Sequence, residues 1–475
     1  MSELWELGAF ELGTSIRDGV VSSRDVVEAH LARIDAVNPA VNAVTDTLDD
    51  EALAAADEAD AAIARGEPTS PFHGVPFTVK TSIDLAGSPT TQGLPAFAEM
   101  IPPLDAPAVA NLRAIGAIPF ARTNAPDLGL RWHTDNALHG PTRNPWDPER
   151  TPGGSSGGDA AALATGMTPL GVGSDLGGSL RWPSACCGTT ALRPTLGRIP
   201  NATSLEPANA PLTMQLMSVH GPMARAALDL RIASEVMSRP SDRDPWYTPV
   251  PFSGPTLASP LRVAIATDAS GDGVNPAVAD GVRRVADVLA DAGYHVDEHP
   301  LPSVAQASDV WFTLVLAEIR MLWSLLEPIV SDDARRFLAA ALQLREPLAQ
   351  EGYDFAFMER QGIARTWTQF QSDVPLVVGP VGTQLPFAPG ADLGGADDVD
   401  AIRHTLDLTL LCSCLGLPSV ALPAGTAPVG DDGGDLPIGV QIIGPRYRED
   451  LCLTAAWEVE RVLGTVTPID PRGGG

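Results

Sequence analysis

The sequence predicts an α/β fold built as one large domain spanning residues 1–475. Three observations carry that reading. Short strand-like apolar runs alternate with amphipathic stretches along most of the chain. Hydrophobic residues make up 44% of the 475 residues, enough to bury a large core. No repeat period appears, and nothing marks a clean linker.

The elements follow in order. Ser22 is placed as an N-cap with Asp25 three residues on, and Val27, Leu31, Ile34 and Val37 form one apolar stripe. This predicts a helix over 22–38. An alanine-rich helix spans 50–66 and stops at Gly66. Strands are predicted at 74–80 and 117–122. Gly and Pro crowd 140–158 too densely for regular structure. The small apolar run 159–166 predicts a tightly packed helix, and 170–172 a short strand. Residues 261–297 read as strand, helix and strand, with Arg283 and Arg284 on the helix. The Trp- and Leu-rich segment 305–370 predicts a helical excursion placed to cover the active site. Strands recur at 374–378, 418–422 and 438–443, with a Gly- and Asp-rich surface loop over 426–436. A last helix covers 449–463, and the tail 473–475 reads as loose.

Composition narrows the partners. Asp plus Glu outnumber Lys plus Arg by 59 to 31, a net charge of −28. That field repels phosphate backbones, so neither nucleic acid nor an anionic membrane is expected as a partner. No stretch of about 18 apolar residues predicts a membrane span, and the acidic start carries no signal-like run. The five cysteines have no zinc spacing, and the histidines form no ligand pair. Buried reduced thiols, no metal, no cofactor and a cytoplasmic location are the expectation.

One residue type stands out. Of the 31 basic residues only Lys80 is lysine. Arginine-for-lysine drift explains the other positions, where either cation serves. Arginine stays charged, whereas a buried lysine can lose its proton and act as a base. A lone lysine at the end of the strand-like run Val75-Pro-Phe-Thr-Val-Lys80 is therefore a candidate for base chemistry.

Two glycine-rich segments follow it. Thr151-Pro-Gly-Gly-Ser-Ser-Gly-Gly158 lacks the lysine of a phosphate loop. It fits a nucleophile elbow at Gly153–Gly157 and again at Gly154–Gly158, which would need a downstream partner such as His220, His295, His299 or His404. The second segment is Asp175-Leu-Gly-Gly-Ser179-Leu-Arg-Trp-Pro183. Its successive N–H groups can approach a substrate as an oxyanion hole requires, or simply make a tight turn.

Lys80 and these two segments together resemble the amidase signature family. The resemblance extends through Ser22-Ser-Arg-Asp25, Arg122-Thr-Asn124, Gly140-Pro-Thr-Arg-Asn-Pro-Trp-Asp147 and Leu192-Arg-Pro-Thr-Leu-Gly-Arg198. It continues in Gly221-Pro-Met-Ala-Arg225, Gly416-Leu-Pro418 and Pro437-Ile-Gly-Val-Gln-Ile-Ile-Gly-Pro445. It implies a large, twisted, mostly parallel (mixed) central sheet with helices on both faces. It also implies a serine hydrolase that cleaves amide C–N bonds through a Ser–cis-Ser–Lys triad without a cofactor. Ser179 would be the nucleophile that carries the acyl-enzyme, Ser155 the bridging serine and Lys80 the base. The Gly154–Ser155 peptide would be cis. Backbone N–H groups of Leu176, Gly177, Gly178 and Ser179 would form the oxyanion hole. Ser156 would hydrogen-bond within its loop, and Asp175 and Arg181 would brace the turn.

The family spans aryl acylamidases, fatty acid amide hydrolases, carbamate (urethane) cleavers and the glutaminase component of a tRNA-dependent amidotransferase. That glutaminase is the alternative function, and an inactive binding scaffold a second one. The apolar run Met214–His220, and Trp311 to Leu326 in place of a tyrosine-rich helix, favour a small-molecule amide or carbamate with an apolar part. Leu130, Trp132, Trp182, Met214 and Leu216 are the expected pocket residues. The resemblance also allows a homodimer.

Overall fold

The structure is a computed structural model that describes residues 3–67, 69–205, 209–428 and 434–472. Eleven strands form one sheet. They are β1 (Val44–Thr47), β2 (Pro76–Lys80), β3 (Ile118–Thr123), β4 (Leu170–Asp175), β5 (Thr190–Arg193) and β6 (Val219–Ala224). After these come β7 (Arg262–Ile265), β8 (His295–Glu298), β9 (Leu376–Pro380), β10 (Ser419–Pro428) and β11 (Asp435–Ile443). Their spatial order is β1-β3-β2-β4-β6-β5-β10-β11-β9-β7-β8.

Side chains alternate across the strands, so one strand can feed two cores. Val420 and Leu422 of β10 join one core, and Ala421 between them joins the other. The first core holds the helices Gly157–Ala164, Val304–Leu326 and Asp407–Leu415. The second holds Ala9–Arg17, Pro107–Arg113, Ala227–Met237, Pro276–Asp291 and Glu449–Leu463. Helices therefore cover both faces, as expected.

The sheet is mixed, but not mostly parallel. Six of the ten strand pairings are antiparallel. The parallel pairs sit toward the two flanks; the unit at 261–297 was legible as strand, helix and strand, whereas the helix Pro107–Arg113 between β2 and β3 was not expected. The middle is antiparallel, built from β6, β5, β10 and β11, and of these the short β5 and β6, beside glycine and proline, were not expected.

Other boundaries shift as well. The helix over 22–38 runs through Pro39 as Ser23–Val41, with the Ser22 side chain accepting from the Asp25 N–H. Gly157 and Gly158, expected to be irregular, begin the next helix. The segment 426–436 is not all loop. Thr426 to Pro428 pair with Asp435 to Pro437 in a hairpin, and 429–433 lie outside the described residues, as does the tail 473–475. Among the described residues no helix is long and apolar enough to cross a membrane. All five cysteines are buried and free.

Candidate active site

The site is built where two parallel strands end side by side. Thr78 and Val79 of β2 pair with Gly171 and Val172 of β4. The C-terminal ends of these strands deliver Lys80 and the pair Ser174-Asp175, and an open α/β sheet places its ligands at such ends. Lys80 is fully buried. Its Nζ lies 2.6 Å from Ser155 Oγ and donates to Ser174 Oγ at 3.0 Å. Burial pushes the lysine down to about 8, although the Asp159 and Asp175 carboxylates pull it upward.

Ser155 reaches Lys80 because its loop folds back under the second serine loop. The Gly154–Ser155 peptide is cis, as expected. A Cβ on Gly154 would stand 2.5 Å from the Arg131 carbonyl oxygen, so no larger residue fits there. Ser156 N–H donates to the Ser179 carbonyl at 3.2 Å, and Ser156 Oγ to the Ser174 carbonyl at 3.5 Å. Ser156 thus links the two loops rather than bonding within its own.

The Ser179 turn is held from beneath by charge. Arg181 Nε donates to Asp175 Oδ2 at 3.0 Å, and Arg193 Nη1 to Asp175 Oδ1 at 2.9 Å. The Gly178 and Leu180 N–H groups add bonds of 2.9 and 3.3 Å to the same carboxylate. Burial alone would push Asp175 up. The two guanidiniums outweigh it and hold the carboxyl well below the usual carboxylate range. Asp175 and Arg181, expected to brace the turn, are joined to each other beneath it.

This arrangement corrects one donor. The Gly178 N–H is spent on Asp175, and Gly178 itself sits at φ 95°, where glycine is favoured. The N–H groups of Leu176, Gly177 and Ser179 have no acceptor among the described residues. Two indoles fix the turn's carbonyls on the far side. Trp132 Nε1 donates to the Gly177 carbonyl at 2.9 Å, and Trp311 Nε1 to the Leu176 carbonyl at 3.0 Å. The oxyanion hole this geometry offers is Leu176, Gly177 and Ser179.

Ser179 stands where two cavities meet. One is a cavity of about 570 Å³, the more polar of the two, where Ser155, Ser174, Ser179 and His220 stand beside apolar side chains such as Ile83, Met214 and Trp246. The other is a narrow apolar pocket of about 50 Å³ lined by Leu130, Trp132, Trp311, Phe312 and Phe337 together with Ser179. Its far wall comes from the helices Val304–Leu326 and Asp332–Gln343, within the predicted excursion. Arg131, between Leu130 and Trp132, pairs with buried Asp392 through two bonds of 2.9 Å and pins that loop.

Two pocket expectations are corrected. Trp182 is buried behind Trp132, donating to its carbonyl at 3.1 Å and stacking on Phe387. The helix Arg181–Cys187 starts two residues after Ser179 and carries the indole away from both cavities. Leu216 lines neither cavity and packs against the core. On the helix Leu212–Met217, Met214 and Leu216 are two positions apart, about 200° around the axis, which puts them on opposite sides.

Two residues were missed. Ser174 is the second partner of Lys80. Asp159 takes a 2.6 Å hydrogen bond from Thr123 Oγ1, leaves Oδ2 without a partner, and is pushed up by burial. The downstream histidines do not complete an elbow. His220 lines the polar cavity without a bond to Ser155 or Ser156, and His295 pairs with Asp297. His299 packs on Phe370, and His404 sits beside Asp400 and Asp407.

Comparison with known proteins decides the family. A profile described as Amidase matches residues 25–453. The chain belongs to the amidase family. It is 39% identical over 470 residues to an indoleacetamide hydrolase of Bradyrhizobium diazoefficiens, covering 98% of this chain and 88% of that one. It is 37% identical over 387 residues to an indoleacetamide hydrolase of Bradyrhizobium japonicum, covering 80% and 81%. Among solved structures it is similar to a bacterial aryl acylamidase of the amidase signature enzymes. There the TM-score is 0.82 and the identity 25%, with 97% of each chain covered. This amidase hydrolyses amide C–N bonds.

Proposed function

We propose that this amidase hydrolyses amides of arylacetic type, of which indole-3-acetamide is the first to try, through an acyl-enzyme on Ser179. The carrying observation is the position of Ser179 between the two cavities, with Ser155 facing only the polar one. Lys80 in its neutral form takes the proton of Ser155, which takes that of Ser179 as its Oγ attacks the carbonyl carbon. Developing charge on the carbonyl oxygen meets the N–H groups of Leu176, Gly177 and Ser179. Ser155 then returns a proton to the nitrogen as the C–N bond breaks. Water repeats the relay to free the acid.

That proton return orients the substrate. The leaving nitrogen must lie on the side of Ser155, in the polar cavity, so the acyl group points into the pocket of Trp132, Trp311 and Phe312. A cavity of about 150 Å³ holds benzene, so the narrow pocket must widen for a ring, by shifting Leu130, Phe337 or the helical excursion that walls it. The aromatic lining suits an aryl group better than the side chain of glutamine. Urethanes with an aryl part satisfy the same geometry. Rates on indole-3-acetamide, an anilide, an aryl carbamate and glutamine test this reading. The arylacetamide is expected to lead by at least tenfold, and fast glutamine hydrolysis would overturn it.

A further inference from the structure

The polar cavity is far larger than a primary amide requires. Ammonia leaving from such an amide occupies about the space of a water, on the order of 30 Å³. The cavity beside Ser155 holds about 570 Å³, the size of a small-molecule binding site. Its wall mixes apolar side chains such as Ile83, Phe97 and Trp246 with polar ones, among them Asp84, Asn201, Gln215, His220, Arg243 and Asp244.

The charges in that wall are unequally satisfied. Asp84 Oδ2 accepts from Thr203 Oγ1, Ser204 N–H and Ser204 Oγ at 2.9, 2.6 and 3.0 Å. Asp244 accepts from the N–H groups of Asn201 and Trp246 at 2.9 and 2.8 Å. Both carboxylates are therefore met locally by donors. Arg243 is not matched in the same way. Its Nη1 donates to the Asp105 carbonyl at 2.6 Å, while its buried Nη2 has no partner among the described residues. His220 is nine-tenths buried, and its Nδ1 also has no partner among the described residues. Burial pushes this imidazole down to about 4, so it is neutral near pH 7 and still offers one N–H. Buried donors without acceptors cost free energy that a ligand can recover. A carboxylate matches a guanidinium edge in geometry and charge.

We propose that the leaving group is a carboxylate-bearing amine, so that the enzyme cleaves secondary amides joining an aryl-acyl group to an amino acid. The inference rests on the acyl-enzyme reading above. Its chemistry balances without any further reactant. The Ser179 Oγ–C bond forms and the C–N bond breaks. The amino acid leaves with the proton supplied through Ser155, and one water hydrolyses the ester. Arg243 recognises the carboxylate of the departing amine, and His220 offers a second donor in the same cavity.

The test compares purified enzyme on indole-3-acetylglycine, the N-(2-hydroxyethyl) amide of the same acid, and indole-3-acetamide. The glycine conjugate is expected to exceed the hydroxyethyl amide at least tenfold in kcat/KM. In Arg243→Gln that ratio should fall at least tenfold. Because it is a ratio within one protein sample, partial misfolding cancels. His220→Phe should lower it by a smaller factor. Turnover of indole-3-acetamide without turnover of the conjugate overturns this inference alone. A ratio unchanged in Arg243→Gln overturns it too. No turnover of any arylacetyl amide overturns both this inference and the reading on which it rests.

Discussion

Two buried charge clusters lie within the same few residues of strand β4 and its surroundings, and the protein treats them in opposite ways. Around Asp175, two arginines and two backbone N–H groups converge on one carboxylate. That charge is locked in place. Around Lys80, a single ammonium meets two serine hydroxyls, near the buried Asp159 carboxyl, of which only one oxygen accepts a side-chain hydrogen bond. Burial pushes the lysine down and the Asp159 carboxyl up, so both tend toward their neutral forms. The first cluster holds a shape. The second holds a proton that can be given up. Guanidiniums suit the first because they do not titrate, and only lysine suits the second.

Exchanging the two kinds of cation breaks the comparison most severely. Lys80→Arg should lower kcat by about 10⁴-fold or more, the scale of losing a nucleophile's activating base, as measured on an arylacetamide. Retention of near-normal turnover would mean that the lysine is not the base. At the other cluster, Asp175→Asn leaves two buried guanidiniums short of a counter-charge. Breaking a buried pair in this way costs about 3–5 kcal/mol, read as a lower denaturant midpoint at unchanged slope. An unchanged midpoint would show that the locked cluster does not hold the turn.

Proton balance sharpens the contrast. On the proposed relay the working form of Lys80 is neutral, and burial lowers its value to about 8. kcat/KM should therefore fall about tenfold per pH unit below that value, as the ammonium takes over. The Asp159 carboxylate raises the lysine, so Asp159→Asn should move this acid limb to lower pH. A limb that moves upward would contradict the coupling. The smallest effect is expected at Ser174. Ser174→Ala removes one 3.0 Å hydrogen bond to Lys80 and should cost about tenfold in kcat or less, near the net worth of one such bond.

The sequence showed these two clusters to different degrees. Lys80, Ser155 and Ser179 were legible because their chemistry tolerates no substitute and because glycines crowd around both serines. Asp175 and Arg181 were legible as a brace, being six residues apart on one turn. Arg193 was visible only as part of a motif, because it reaches Asp175 through the pairing of the central strands. Asp159 looked like an ordinary acid in the first turn of a helix, and only tertiary packing buries it beside Thr123. Trp182 misled for the opposite reason. Adjacency to the nucleophile in sequence suggested the pocket, and a helix starting at Arg181 rotates the ring away. The sheet's antiparallel centre was hidden because β5 and β6 are short and flanked by glycine and proline, whereas the strand–helix–strand unit at 261–297 carries clear periodicity.

The central claim is that neutral Lys80 activates Ser179 through Ser155. The direct measurement is the pH dependence of covalent labelling of the enzyme by a fluorophosphonate, with the modified residue located by peptide mass spectrometry. The label is expected on Ser179, at a rate that rises from pH 6 to 9 as the lysine loses its proton and that collapses in Lys80→Arg. A label on Ser155 or Ser156, or a rate that survives Lys80→Arg but is abolished by His220→Phe, would contradict it.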